Sequence, residues 1–277
     1  MPSRPRPVPR PRLIVAAASL AVAALGLLAA APAASAQSSV SYVALGDSYS
    51  SGVGAGNYTS SSGSCDQSPN AYPQLWANAN APASFVNETC SGATTSSVIS
   101  TQLGALNSGT SLVSITVGGN DVGFSSIMET CVLESTSSCE SAVGSAEKYA
   151  ATILPGDLDT MLSDIRADAP NAKIIVLDYP DFYDLSVSIC LGLSSGDHQA
   201  LDNGINDLDG VLQTAAADYG DTFADVRGEF SGHELCDGAG WLNSVTLPIG
   251  DSYHPTATGQ EDGYLPVFSA AAAAVGQ

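Results

Sequence analysis

The chain has 277 residues, with 28 acidic and eight basic (Lys and Arg) side chains, so its formal net charge at neutral pH is −20. Residues 37–277 contain all 28 acids against four of the bases, a formal net charge of −24. This negative charge argues against nucleic acids and anionic membrane surfaces as partners, because phosphate groups are bound mainly by Lys and Arg.

The first 36 residues have the pattern of a secretory signal peptide. Four Arg residues precede an apolar run at residues 13–31, and Ala34-Ser35-Ala36 matches an A-x-A cleavage site. Pro32 and the small residues of this site argue against a membrane anchor, and no later run reaches the roughly 20 apolar residues of a spanning helix. We therefore expect a secreted, extracellular protein that begins near Gln37 and has no stable membrane anchor.

Residues 37–277 contain no Pro-rich or Gly/Ser linker and are predicted to form one domain. Apolar runs that predict strands alternate with segments of helical period, which indicates a parallel sheet covered by helices on both faces. The predicted strands are 41–45, 84–86, 112–117, 173–177 and 222–226. The predicted helices are 72–79, 95–106, 140–151, 157–167, 198–218 and 256–275.

A candidate nucleophile, Ser48, directly follows the first predicted strand in the block Gly46-Asp47-Ser48. Loops at the carboxyl ends of parallel strands line the ligand crevice, so a serine there is presented to a substrate. A serine nucleophile needs a base, which is usually histidine. His254 lies three residues after Asp251, and this spacing lets a carboxylate and an imidazole meet within one loop.

Two further blocks lie between this serine and this histidine. Gly118-Gly119-Asn120-Asp121 follows the third predicted strand, and Ser91-Gly92-Ala93 precedes that strand. In chain order, the serine at 48, the glycine at 92, the asparagine at 120 and the histidine at 254 match the residues that give the SGNH (GDSL) hydrolases their name. The chain resembles this family over residues 37–277, and is most similar to its secreted Streptomyces-type lipases and esterases.

The resemblance implies a fold and an activity. The fold is a three-layer α/β/α sandwich with a five-stranded parallel sheet, which is flavodoxin-like in this family. The activity is carboxylic ester hydrolysis through a serine acyl-enzyme, without metal or organic cofactor, by a protein expected to be a monomer. A lipase or esterase that cleaves acyl esters of lipids is favoured; the alternatives are a carbohydrate O-acetylesterase, a phospholipase and a non-catalytic secreted binding module.

The matched residues suggest how the ester would be cleaved. Ser48 would attack the carbonyl, and His254 would act first as base and then as acid. The oxyanion hole would consist of the backbone N–H groups of Ser48 and Gly92 and the side-chain amide of Asn120. These four residues are therefore the expected catalytic core.

The orientation of His254 has two candidate sources. Asp251 is the expected one, because a carboxylate that accepts from Nδ1 fixes the tautomer that leaves Nε2 facing Ser48. The resemblance also implies an alternative, since some secreted members use a backbone carbonyl near this place. Ser252 would supply that carbonyl here.

Other polar residues near the motifs are expected to be structural. Asp47 and Asp121 would accept hydrogen bonds from neighbouring N–H groups in the two loops. His198 and His233 are predicted to be surface or loop-packing histidines. Apolar residues that could line an acyl groove, or could equally belong to the core, are Val122, Phe124 and Ile249.

All six cysteines lie in residues 37–277, and an even number in an exported chain indicates disulfides. Six cysteines allow 15 pairings, and no spacing supports a zinc site instead. Secreted actinobacterial lipases and esterases of the SGNH family bond six cysteines in sequence order. The resemblance therefore implies the pairs Cys65 with Cys90, Cys131 with Cys139, and Cys190 with Cys236.

Overall fold

The computed structural model of the protein describes residues 1–3, 39–187, 190 and 192–277. Apart from residues 1–3, the predicted signal peptide lies outside these described residues. Within the described part, no helix combines the length and the apolar character that crossing a bilayer requires.

A parallel sheet lies at the centre of the described part, with the strands β1 (Ser41–Gly46), β2 (Ser84–Asn87), β3 (Leu112–Thr116), β4 (Lys173–Leu177) and β5 (Thr222–Ala224). Their order across the sheet is β2-β1-β3-β4-β5. Every residue of β3 is buried, because both faces of a parallel sheet are covered, and such strands therefore appear in the sequence as apolar runs. The chain changes direction across the sheet between β1 and β3, so the carboxyl ends of these two strands flank the crevice where ligands bind in this topology.

Helices cover the sheet in two groups. The helices are α1 (Ser48–Ser51), α2 (Tyr72–Asn80), α3 (Thr95–Ser97), α4 (Phe124–Leu133), α5 (Thr136–Thr152), α6 (Leu154–Asp168), α7 (Ser195–Tyr219), α8 (Arg227–Phe230) and α9 (Leu265–Ala274). Helices α2 and α9 pack together, and α5, α6 and α7 pack together, while α7 and α9 both contact β4 and β5. This is the predicted three-layer α/β/α sandwich.

Two predicted helices are irregular in the structure. The helix predicted at 95–106 is divided into α3, a π-helical turn at Val98–Gln102 and a 3-10 turn at Leu103–Ala105. The π-helical turn ends at Gln102, whose buried amide hydrogen-bonds the N–H and the carbonyl of Gly46. The last predicted helix likewise begins with a π-helical segment, Gly259–Tyr264, before α9.

Helix α4 was not predicted, although it lies beside the candidate site. It begins after Gly123, which has a left-handed backbone (φ 87°), and it places Phe124 in a helix rather than in a loop. Helix α4 is joined to α5 by the disulfide Cys131–Cys139, and the two helices pack against each other. The disulfide therefore helps to position α4, a helix that its short sequence of apolar and small polar residues did not indicate.

The three expected disulfides are all present: Cys65–Cys90, Cys131–Cys139 and Cys190–Cys236. The first joins residues 25 positions apart and lies next to Gly92. Closing a loop of that size stabilises a fold by roughly 2 to 4 kcal/mol. A backbone hydrogen bond ties the Gly92 turn to the sheet, because the N–H of Cys90 donates to the carbonyl of Gly46 at 2.9 Å.

Candidate active site

Ser48 is the first residue of α1, at the carboxyl end of β1. The chain turns sharply at Gly46 (φ 119°), where a Cβ would collide with the backbone of Thr116 in β3. Asp47 then caps α1, because its carboxylate accepts from the N–H of Tyr49 at 3.0 Å. Glycine and aspartate are therefore needed before Ser48 for backbone reasons, and together they fix the direction of its side chain.

His254 meets Ser48 from the other end of the chain. Its Nε2 atom lies 2.7 Å from Oγ of Ser48, and its Nδ1 atom lies 3.0 Å from the carbonyl oxygen of Ser252. Because Nδ1–H donates to a carbonyl, Nε2 is left to accept the serine proton. Burial lowers the pKa of His254 to about 4, since the imidazolium is disfavoured away from water. The imidazole is therefore neutral, the form that a base requires.

The structure differs from the prediction at Asp251. Its Oδ1 atom accepts from the Tyr58 hydroxyl at 2.7 Å, and no hydrogen bond within the described part joins its carboxylate to the imidazole. The reason lies at Tyr253, which has a left-handed backbone (φ 63°) and turns the chain so that the Ser252 carbonyl faces the ring. The backbone carbonyl, which was the alternative, occupies the position expected for the carboxylate.

The loop that contains His254 is held by Asn243, which the sequence did not single out. The N–H of Asn243 donates to the carbonyl of His254 at 2.9 Å, and its carbonyl accepts from the N–H of Tyr253 at 2.7 Å. Its side-chain amide donates to the carbonyls of His254 and Gly54. Two of these four contacts use only backbone atoms, and the carbonyls that accept from the side-chain amide belong to every residue type, so the sequence of the loop did not indicate them.

The candidate oxyanion residues come from two loops at the same edge of the sheet. Asn120 follows β3, and its side-chain Nδ2 donates to the carbonyl of Ala93 at 3.0 Å. Gly92, the residue before Ala93, has a left-handed backbone (φ 76°). The Asn120 amide has two N–H groups, so one can hold the Gly92 turn while the other remains for a ligand.

Asp47 and Asp121 have the structural roles that were predicted. Asp47 is buried and accepts from Tyr49 N–H, from the Thr116 hydroxyl at 2.7 Å and from a tyrosine hydroxyl that follows β4. Burial raises the pKa of Asp47 to about 6, whereas these hydrogen bonds lower it. Asp121 accepts from both the N–H and the hydroxyl of Thr95 and so fixes the start of α3.

An apolar cavity of about 60 Å³ adjoins Ser48 and Asn120 between α4, α5 and α7. Of the three side chains considered for an acyl groove, Val122 and Phe124 line this cavity. Further apolar residues of its wall are Ile127, Met128, Val143, Leu201, Ile205 and Leu208. Ester substituents of low polarity fit such a wall.

A wider groove of about 500 Å³ passes His254 on the other side of Phe124, which lines both spaces. One side of the groove is a face of α4 that extends along the whole helix, and the other is the segment at 245–254. Ile249, the third considered side chain, lies on this second side and is 65 % exposed, while Leu247 nearby is 88 % exposed. Exposed apolar side chains therefore lie beside the groove, whose lining also includes Ser125, Glu129 and Ser252.

The remaining histidines pack against aromatic rings. His198 is buried with its ring 3.8 Å from that of Tyr183, and His233 stacks on Trp241 at 3.7 Å. Burial lowers the pKa of His198. Within the described residues, no group of three or more potential ligands comes together that could hold a metal ion.

Residues 44–261 match the model of the GDSL-like Lipase/Acylhydrolase family. The chain is 56 % identical over 232 residues to Lipase 1 of Streptomyces coelicolor, which covers 83 % of this chain and 86 % of the relative. It is 51 % identical over 230 residues to a lipase of Streptomyces rimosus, with the same shares of the two chains.

Solved structures are similar over nearly their whole length. Phospholipase A1 from Streptomyces albidoflavus NA297 is 52 % identical with a TM-score of 0.82, and covers 84 % of this chain and 99 % of its own. The extracellular lipase from Streptomyces rimosus is 51 % identical with a TM-score of 0.83 and the same shares. These matches confirm the family that the sequence motifs predicted. The chain belongs to the GDSL-like lipase/acylhydrolase family and is a carboxylic ester hydrolase.

Proposed function

We propose that the protein is a secreted lipase that cleaves acyl esters of lipids, with Ser48 as nucleophile and His254 as base. The observation that supports it best is the 2.7 Å contact between Ser48 Oγ and His254 Nε2 at the wall of an apolar cavity. A serine next to a neutral imidazole can attack an ester, and an apolar wall selects esters with hydrocarbon substituents.

Acylation begins with the proton of the Ser48 hydroxyl. As Oγ attacks the carbonyl carbon, Nε2 of His254 takes this proton, and the carbonyl oxygen becomes an oxyanion. The N–H groups of Ser48 and Gly92 and the Asn120 amide are the donors available to that oxyanion. Nε2–H then protonates the leaving alkoxide, and the acyl group stays on Oγ.

Deacylation repeats the sequence with water. The oxygen of a water molecule attacks the acyl carbon while Nε2 takes a proton from that water. Nε2–H then gives the proton to Oγ of Ser48, which leaves as the acid product is released. During both steps the imidazolium donates from Nδ1 to the carbonyl of Ser252. The charge of Asp251 raises the pKa of His254, and so favours the imidazolium from a distance.

The substrate class follows from the two apolar spaces. An O-acetylesterase for carbohydrates needs a small, polar pocket, whereas here apolar side chains line both the cavity and the groove. Relatives named lipase and phospholipase A1 support an acyl ester of a lipid. A phospholipid is the second candidate substrate, because a phospholipase A1 is among the similar structures. Ser48 and His254 of this chain would have the same roles in its cleavage.

Two measurements test the proposal. A fluorophosphonate probe should label the wild-type protein and fail to label Ser48→Ala, because the probe reacts with an activated serine. On p-nitrophenyl esters, chains longer than acetate should be cleaved faster than acetate. If acetate were the one ester cleaved well, the lipid assignment would be contradicted. A comparison of the hydrolysis rates of triacylglycerol and phosphatidylcholine would separate a lipase from a phospholipase.

Secretion and assembly are part of the same proposal. The signal pattern of residues 1–36 and the extracellular lipase among the relatives support export, cleavage near Gln37 and a single domain at 37–277 that acts as a monomer. Amino-terminal sequencing of protein from the culture medium tests the cleavage site. Size-exclusion chromatography with light scattering tests the monomer.

A further inference from the structure

Tyr179 lies between the two loops that provide Ser48 and Asn120, although it belongs to none of the four sequence motifs. It follows β4 by two residues, is 5 % exposed and lines the same cavity as these two residues. Its ring packs edge-on against Tyr49, with the ring centroids 4.9 Å apart. The position of Tyr179 is therefore fixed by packing as well as by its polar contacts.

The hydroxyl of Tyr179 makes one hydrogen bond to each loop. It donates to Oδ2 of Asp47 at 2.5 Å, and it accepts from the N–H of Gly119 at 3.1 Å. Asp47 immediately precedes Ser48, and Gly119 immediately precedes Asn120. A single oxygen atom thus links the loop of the proposed nucleophile to the loop of the asparagine amide, beyond the point where Asp47 pairs with Thr116 of β3.

The glycine at 119 is matched to this tyrosine. A Cβ at Gly119 would lie 3.3 Å from both Oη and Cζ of Tyr179, a separation tighter than ordinary carbon contacts allow. Glycine lets the backbone N–H approach the phenol oxygen closely. The second glycine of the block at 118–121 therefore serves the contact with Tyr179.

The charges of the two partners favour the same arrangement. Burial and the charge of Asp47 raise the pKa of Tyr179 well above its usual value, so the phenol keeps the proton that it donates. The pKa of Asp47 is raised by burial, and the hydrogen bond from Tyr179 lowers it. The hydroxyl thus helps to keep Asp47 ionised and able to accept all of its hydrogen bonds.

We propose that Tyr179 is a positioning residue for ester hydrolysis, whose hydroxyl holds the Asn120 amide in register with Ser48. This inference rests on the proposed function. An oxyanion donor helps only when it points at the place where charge develops, and a displacement of about 1 Å can cost about 10²-fold in rate. The Ser48 N–H and the Asn120 amide must both point at one oxygen atom. The Tyr179 hydroxyl helps to set the position of these two donors relative to each other.

Tyr179→Phe removes the hydroxyl and keeps the ring. We expect kcat on p-nitrophenyl butyrate to fall roughly 10- to 100-fold, with KM changed by less than about twofold. Tyr42→Phe is the matched control, because Tyr42 is also buried and its hydroxyl makes one hydrogen bond, to Ser114, away from the site. That control should keep kcat within about twofold.

The decisive readout is a double-mutant cycle with Asn120→Ala. If Tyr179 acts by placing the amide of Asn120, its hydroxyl has little left to position once the amide is gone. Tyr179→Phe should then cost less than about threefold in the Asn120→Ala background. A general loss of structure would instead lower kcat by the same factor in both backgrounds.

Two results would overturn the inference: a wild-type kcat in folded Tyr179→Phe, or equal losses in the two backgrounds. If thermal unfolding and circular dichroism show that Tyr179→Phe does not fold, Gly119→Ala takes its place in the cycle. This variant disturbs the same contact from the side of Gly119. Failure of the proposed function is recognised separately, because the wild-type protein would then show neither ester hydrolysis nor fluorophosphonate labelling.

Discussion

The turn that presents Ser48 is held in place mainly by buried side chains, whereas the loop that presents His254 is held mainly by backbone groups. Around Ser48 the contacts come from buried side chains: Asp47 caps α1, and Gln102 hydrogen-bonds both backbone groups of Gly46. A change of residue type at these positions removes a contact directly. This half of the site should therefore be sensitive to substitution.

Around His254 the contacts come mainly from the backbone. The carbonyl of Ser252 accepts from Nδ1, and backbone groups of Asn243 pair with those of Tyr253 and His254. Substitution of side chains leaves these groups in place. The comparison indicates that the proposed base is oriented by the path of the chain, and it predicts that substitutions in the two regions have effects of different size.

Ser48→Ala should have the largest effect, because it removes the proposed nucleophile. We expect kcat to fall by several orders of magnitude, as it does when a triad serine is lost. Ser145→Ala, an exposed serine of α5 that lines neither the cavity nor the groove, is the control and should stay near wild type. A folded Ser48→Ala variant with more than about a hundredth of wild-type kcat would show that another residue attacks the ester.

Asn120→Ala tests the donor on the side-chain half of the site. We expect kcat to fall roughly 10² to 10³-fold with a smaller change in KM, because the amide is used mainly in the transition state. Steady-state kinetics on a soluble ester measures both constants. A rise in KM alone would assign Asn120 to substrate binding instead.

Asp251→Asn tests whether the backbone carbonyl of Ser252, and not the carboxylate of Asp251, orients His254. Since the Ser252 carbonyl already accepts from Nδ1, we expect a loss of roughly tenfold or less near neutral pH, against about 10⁴ for loss of a triad carboxylate. Tyr58→Phe is the matched variant, because it removes the same contact from the other partner. A loss of several orders of magnitude in Asp251→Asn would restore the carboxylate as the orienting group.

The pH dependence should show the smallest change. Burial lowers the pKa of His254 to about 4, so the neutral base persists well below the usual range of histidine. Between pH 7 and 5 the titration of His254 should lower kcat/KM less than about twofold, with a decline as the pH passes through about 4. Because burial raises the pKa of Asp47 to about 6, an acid limb near 6 is assigned by an NMR titration of His254, and an imidazole that titrates near 6.5 in folded protein would contradict the buried base.

The fold was predictable because parallel strands buried on both faces appear as apolar runs. The runs at 112–117 and 173–177 correspond to β3 and β4 almost residue for residue. Helix α4 was missed, since its serine and threonine residues and its leading Gly123 resemble a loop, and its packing partner lies across a disulfide. Local sequence does not contain that tertiary information.

The site was predictable where it depends on residue type. The motifs identified Ser48 and His254, which the structure brings together, whereas the orientation of the imidazole depends on a carbonyl that every residue possesses. Tyr179 was missed as well, although one signal was available. It follows β4 at the same edge of the sheet as Asn120, where a polar side chain can reach the ligand crevice.

The carbonyl that accepts from Nδ1 of His254 has a genetic consequence. Any codon at position 252 that preserves the local backbone encodes a residue with the same carbonyl oxygen. A point mutation can delete the acid of a triad in one step, but it cannot delete a peptide oxygen. Alignment of the proposed base is thus protected against most single substitutions at position 252.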